Sequence, residues 1–250
     1  MNRLIPVLVI LAIACFALTL NYFTPVEAVP VLQAPAEYSE PSAPAKPVLG
    51  ITVMPPEVAP VPFVFPPVPK PNGLSGGCAQ YIQPLTRMAQ EVFGINAPVA
   101  RFAAQLDQES ACQRGAISSA GARGLAQMMP ATANLLARRY PELRPVDVHD
   151  PNWSIRAQLY LMRDLLDQYD GARSECDQWQ FAWAAYNGGE RALMAEQALA
   201  PDRLKWMNSV QPQRKRSQAN WNENRGYVRA IPIRERRMIA AGVNGSAVCT

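Results

Sequence analysis

Prolines crowd into one stretch of this chain, and that crowding decides where a folded domain can lie. Of the 24 prolines in 250 residues, more than half fall between Pro25 and Pro71, in a Pro/Val/Ala-rich context with very few charges. Proline lacks a backbone donor and has a fixed φ, so runs such as Pro-Pro-Glu-Val-Ala-Pro-Val-Pro build neither helix interior nor central strand. They favour extended polyproline II, a semi-rigid spacer of about 3 Å per residue. Some 45 such residues would span roughly 140 Å if fully extended. Asn72-Gly73-Leu74-Ser75-Gly76-Gly77 punctuates the end of this segment.

From Cys78 onward the pattern is helical. The spacing predicts helices over 82–93, from Pro98 to Glu109, over 129–140, and from Asp150-Pro151 to a stop at Gly171. Ser174 and Asp177 read as a capping box for the next helix, which carries Trp179, Ala182, Trp183 and Tyr186 inward and breaks at Gly188-Gly189. Further helices are expected over 190–200, 220–230 and 233–241. No alternating run of useful length occurs. The expected organisation is three segments: residues 1–24, a linker over 25–77, and one mainly α domain over 78–250.

The first segment holds an apolar run of 17 residues, Leu4 to Leu20, after Met-Asn-Arg. A positive start followed by a long apolar stretch reads as a signal anchor or a cleaved signal peptide. Val26-Glu27-Ala28 is a poor cleavage site, which favours the anchor. Arg3 keeps the short end in the cytoplasm and sends the remainder outside.

Composition narrows the chemistry. The net charge of +4 suits an anionic polymer without requiring one, and no signature of nucleic-acid binding is present. The only histidine, His149, has no nucleophile nearby in sequence, so it reads as structural or solvated, and no metal-ligand spacing or cofactor motif is visible. The five cysteines include no Cys-x-x-Cys pair. Outside the apolar run, Cys78, Cys112, Cys176 and Cys249 suit up to two disulfides in an oxidising compartment. Three pairings are open, and the one we favour joins Cys112 to Cys176 and Cys78 to Cys249. Cys15 is either inert in an apolar helix or able to exchange with a disulfide involving Cys112 once the apolar segment leaves a membrane. Arg214-Lys215-Arg216 reads as a solvated loop, or as a patch that meets anionic glycan peptides or lipid headgroups.

Glu109 is the residue with the most chemical promise. It lies seven positions after Phe102 and three after Leu106, so on a helix it shares their apolar face. A carboxylate there is costly to ionise and its pKa should rise, leaving a proton to donate near neutral pH. A helix-end glutamate pointing to solvent is the bland alternative.

Four segments recur in order around it: Gln108-Glu109-Ser110, Ser118 to Pro130 (SSAGARGLAQMMP), Ala184-Ala185-Tyr186-Asn187-Gly188-Gly189, and Glu223-Asn224-Arg225-Gly226-Tyr227-Val228. Together they resemble the soluble lytic transglycosylase family of peptidoglycan-cleaving enzymes, whose catalytic domain is related to goose-type lysozyme. The resemblance covers about Tyr81 to Ile231. It implies a lysozyme-like helical domain in which Glu109 is the sole catalytic acid and base. It further implies that Ser110, Ser118, Gln127, Met129, Tyr186, Asn187, Glu223 and Tyr227 line the glycan groove or support the glutamate. Gly121 and Gly124 would let a tight loop approach a sugar. Two positions depart from the family pattern. Ala126 stands where methionine is usual and is expected to widen a subsite. Cys112 stands where a large apolar residue is usual and is expected to staple the catalytic loop.

The implied reaction cleaves the bond between N-acetylmuramic acid and N-acetylglucosamine and leaves a 1,6-anhydro end. The implied setting is the periplasmic face of the inner membrane, or the periplasm if the N-terminal segment is removed. The partner is peptidoglycan, with a cell-envelope apparatus as a further one through the linker. A hydrolytic lysozyme on the same fold and a catalytically silent wall-binding module are the alternatives.

Overall fold

The computed structural model describes residues 76–249. The apolar run, Cys15 and the proline-rich segment lie outside them. Among the described residues no helix is long and apolar enough to cross a membrane.

The described residues form one mainly helical domain around a single core. Its elements are α1 (Gly76–Ala79), α2 (Ile82–Phe93), α3 (Val99–Ser110), α4 (Pro130–Arg139), α5 (Pro151–Gln168), α6 (Glu175–Gly188), α7 (Glu190–Gln197) and α8 (Gln218–Ala240). A short 3-10 turn (Pro141–Leu143) and an irregular turn (Trp206–Val210) join them. Two side chains start helices as the sequence predicts. Asp150 accepts from the Trp153 backbone N–H at the head of α5, and Ser174 from Asp177 at the head of α6. Each satisfies a donor that the first turn leaves without a partner.

One break expected from the sequence is absent. Residues 220–230 and 233–241 are not two helices, because α8 runs through Pro232. A proline inside a helix removes one bond and crowds the preceding turn. Here packing outweighs that cost, since α8 has its most extensive contact with α3 and buries Val228, Ile231, Pro232 and Met238. Arg101 of α3 reinforces the contact. It donates to Glu235 of α8 at 2.8 Å and stacks its guanidinium 4.3 Å from the Trp179 ring of α6. Three helices are thereby locked together around the start of α3, the end opposite Glu109.

The disulfides differ from the expected pairing. Cys78 bonds to Cys112, and Cys176 to Cys249. The reason is spatial. The short α1 lies against α3, so Cys78 meets the turn directly after the glutamate helix. The C-terminal tail returns along the domain, where the Asn244 carbonyl accepts from the Ala100 N–H, and ends beside the start of α6. Cys112 therefore does staple the turn after Glu109, but to α1. That turn has two successive left-handed residues, Ala111 (φ 49°) and Cys112 (φ 59°).

One residue of the basic run near the C-terminus departs from the expected exposed position. Arg216 is turned inward, pairing with the buried Glu196 through Nε at 2.9 Å and Nη2 at 3.1 Å, while Arg214 and Lys215 stay exposed.

Candidate active site

Glu109 occupies the last turn of α3 and is half-buried. Tyr227 on α8 donates a hydrogen bond to its Oε1 at 2.5 Å. Burial dominates its acidity and, with the charge of Glu223, outweighs the opposing effect of that hydrogen bond, so its pKa is pushed up to about 8. The hydroxyls of Tyr227 and Tyr186 are both driven well above their ordinary range, by burial first and then by the nearby Glu109. Neither tyrosine ionises at neutral pH, so Tyr227 remains a donor.

A cleft of about 310 Å³ opens onto Glu109. Ser118, Gln127, Met129, Tyr186, Asn187, Glu223 and Tyr227 all border it. Three further segments thus converge on the helix end that carries Glu109. Ser110 does not line this cleft. Its hydroxyl donates to the Leu125 carbonyl at 2.8 Å and ties α3 to the loop before α4.

That loop forms one wall, and its own hydrogen bonds shape it. Ser118 Oγ accepts from the Ala122 N–H at 3.0 Å. Gln127, in a left-handed conformation (φ 47°), turns its amide back to the carbonyls of Ala116 and Gly124. Tyr186 donates to the Ala126 carbonyl at 2.8 Å, which pins the loop to α6. Ala126 itself is fully buried, so it does not widen the cleft as expected from the sequence. Gly124 is needed for packing rather than for approach to a sugar. With φ of 76°, it lies so close to Val148 that an added Cβ would stand 1.8 Å from that carbonyl oxygen. Met129 presents an exposed apolar surface at the start of α4.

The opposite wall rests on a buried polar chain that sequence reasoning missed. Glu196 of α7 accepts from both Arg216 and Arg225, Arg225 donates to Asn224, and Asn224 donates to Asn187 at the cleft. Asn224 and Arg225 lie inside the fourth motif, whose local pattern does not show that they turn inward. Glu196 carried one usable signal. It follows the buried Leu193 by three residues, which puts it on the same helix face. Gln108 also borders the cleft, and Arg234 of α8 holds its Oε1 at 2.8 Å.

No group of three or more His, Cys, Asp or Glu among the described residues is arranged to hold a metal ion. His149 instead bridges two loops, with Nδ1 3.2 Å from the Arg114 carbonyl.

Residues 85–208 match the family described as the transglycosylase SLT domain. The stretch from α2 to the turn before α8 is thus a transglycosylase SLT domain. Two solved structures are similar. One is an inactive mutant of the lytic transglycosylase Slt from Pseudomonas aeruginosa, with 21% identity, a TM-score of 0.49 and coverage of 67% of this chain. The other is the 70 kDa soluble lytic transglycosylase of Escherichia coli, with 19% identity, a TM-score of 0.49 and coverage of 66%. This chain spans about 25% of the length of each. Within the SLT domain fall Glu109, the loop wall and the Tyr186-Asn187 tip. Glu223 and Tyr227 are supplied by α8, beyond the matched residues.

Proposed function

We propose that this chain is a peptidoglycan lytic transglycosylase that uses Glu109 first as acid and then as base. The observation that carries the reading is the Glu109 carboxyl group, whose pKa is pushed up to about 8 chiefly by burial, in a cleft bordered by polar side chains. A carboxylic acid of that strength is protonated at neutral pH and stands ready to donate.

Glu109 gives its proton to the oxygen that bridges N-acetylmuramic acid and N-acetylglucosamine. The bond from that oxygen to the muramic C1 breaks, and positive charge grows at C1. The 2-acetamido group of the sugar stabilises that charge. Glu109, now an anion, accepts a hydrogen bond from Tyr227. It removes the proton of the muramic C6 hydroxyl, and O6 bonds to C1. The products are a free N-acetylglucosamine 4-hydroxyl and a 1,6-anhydro end. Glu109 regains its proton, and no water enters the balance. This differs from two-carboxylate glycosidases, in which a second carboxylate supplies the nucleophile or activates water. Glu223 lies at the exposed rim, and its negative charge serves to keep Glu109 protonated.

The apolar run anchors the enzyme at the periplasmic face of the inner membrane in this reading, and the proline-rich segment acts as the spacer that lets the domain reach the wall.

Mass spectrometry of the fragments released from purified peptidoglycan tests the chemistry. Anhydro ends support the reading. Reducing ends, one water heavier, would replace it with a hydrolytic one, and intact strands would leave a binding module.

A further inference from the structure

The loop wall of the cleft has two faces, and only one of them serves Glu109. Arg123 forms antiparallel bridges to Ile117 on one side and to Met128 on the other. Residues directly opposite in such pairs share a face, and chain neighbours alternate between faces. Ile117, Arg123 and Met128 therefore point away from the cleft, while Ser118, Ala122, Gln127 and Met129 border it. Behind the wall lies a second cavity of about 260 Å³, with apolar sides from Pro130, Ala133, Val146 and Val148. Ala122 and Arg123 fall on opposite sides of the wall, as do Met129 and Pro130, so one thickness of backbone divides the two cavities. The second cavity is held open by its own bonds. Ser154 Oγ donates to the Val148 carbonyl at 2.8 Å, and His149 Nδ1 lies 3.2 Å from the Arg114 carbonyl. Arg123 lines it, is exposed, and pairs with no carboxylate among the described residues. Asp147 is the only carboxylate in the lining, and its Oδ1 accepts from the backbone N–H groups of His149 and Asp150.

We propose that this outer cavity holds the peptide stem of a glycan strand whose sugars lie in the cleft, with Arg123 binding a stem carboxylate. The inference rests on the peptidoglycan-cleaving function proposed above. A stem is a short peptide on the lactyl group of N-acetylmuramic acid, and it carries alanine methyls, several free carboxylates and the ammonium of its diamino acid. The lining of the cavity matches that chemistry. Its apolar sides suit the methyls, the Arg123 guanidinium suits a carboxylate, and the charge of Asp147 suits the ammonium. The reach is adequate as well. An extended peptide covers about 3.4 Å per residue, so three residues cross roughly 10 Å, enough to pass over a wall one backbone thick. Exposed apolar surface continues beside the path, where Ile117 is 65% and Val146 40% exposed.

The test compares kcat/KM of the full chain on glycan strands that bear tetrapeptide stems and on the same strands after an amidase has removed the stems. The wild-type protein should favour stem-bearing strands about tenfold, mostly through KM. Arg123→Ala should cut that ratio about threefold, and Arg123→Glu should bring it close to one. The wild-type preference should also shrink between about 0.05 M and 0.5 M salt, because the Arg123 contact is exposed to screening. Equal wild-type rates on the two strands overturn the proposal. So does a wild-type ratio in Arg123→Glu, or a loss that falls equally on both strands, which would give Arg123 a structural role in the wall. If Arg123→Glu fails to fold, Asn134→Glu decides instead, since it places a carboxylate at the cavity from an exposed position of α4. An unchanged ratio there overturns the proposal as well. Should the wild-type protein cleave neither strand, the catalytic reading is what fails. Calorimetric binding of the free stem tetrapeptide, L-alanyl-γ-D-glutamyl-diaminopimelyl-D-alanine, then reads the cavity directly, and equal affinities of the wild-type and Arg123→Glu proteins overturn the proposal.

Discussion

Tyr227 reaches Glu109 across 118 residues of sequence and donates a 2.5 Å hydrogen bond to its carboxyl group. This bond favours the anion, while burial and the charge of Glu223 favour the acid. Two substitutions should therefore move Glu109 in opposite directions. Tyr227→Phe should shift the alkaline limb of the kcat profile upward from about pH 8 and lower kcat, because the anion formed after proton donation loses its partner. Glu223→Gln should shift the same limb downward. pH–rate profiles of both variants check this, and shifts in one shared direction would contradict it.

The raised pKa of Glu109 carries a stability consequence. Its carboxyl binds a proton in the folded state up to about pH 8, but in the unfolded chain only up to about 4.5. Folding therefore retains protons across this window, and stability contributed by the neutral form is lost as pH rises from about 4.5 through about 8. Glu109→Gln, which stays neutral, should raise Tm by several degrees at pH 8 and by little at pH 4.5. Thermal melts at the two pH values measure the difference.

Much of this site was legible in the sequence, and the remainder illustrates where local pattern stops. The helix spacing put Glu109 on an inward face, and Asp150 and Ser174 announced their helices. Disulfide pairing was misread, because it depends on where α1 and the tail return in space. The helix expected to end at Ala230 runs on to Ala240, because local pattern carries no knowledge of the α3 face that α8 covers. Arg216 looked like a surface cation because its partner, Glu196, stands 20 residues earlier on another helix. Ser110 was grouped with the groove, yet its hydroxyl is spent on the Leu125 carbonyl.

The Glu196 hub should be costly to break. Glu196→Ala leaves Arg216 and Arg225 without their carboxylate, Arg225 in a fully buried position. Removing one partner of a buried ion pair typically costs about 3–5 kcal/mol. Chemical denaturation should register a loss of that size. A loss below about 1 kcal/mol would show that the hub contributes little to the fold.

The loop wall depends on a missing side chain. Gly124→Ala sets a methyl group 1.8 Å from the Val148 carbonyl at a φ of 76°. The loop must move, and Gln127 and the Ala126 carbonyl move with it. Activity should fall by at least about a hundredfold, as expected when positioning groups shift by an ångström. Turnover by Gly124→Ala near the wild-type rate would contradict this account of the loop.

Proton transfer by Glu109 is most directly tested by the rate at which Glu109→Gln releases 1,6-anhydro fragments from peptidoglycan. An amide has the shape of the carboxyl group but no proton to lend, so the rate should fall by about 10²–10⁴-fold or more while strand binding persists. Release at the wild-type rate would contradict the assignment of Glu109 as the acid and base.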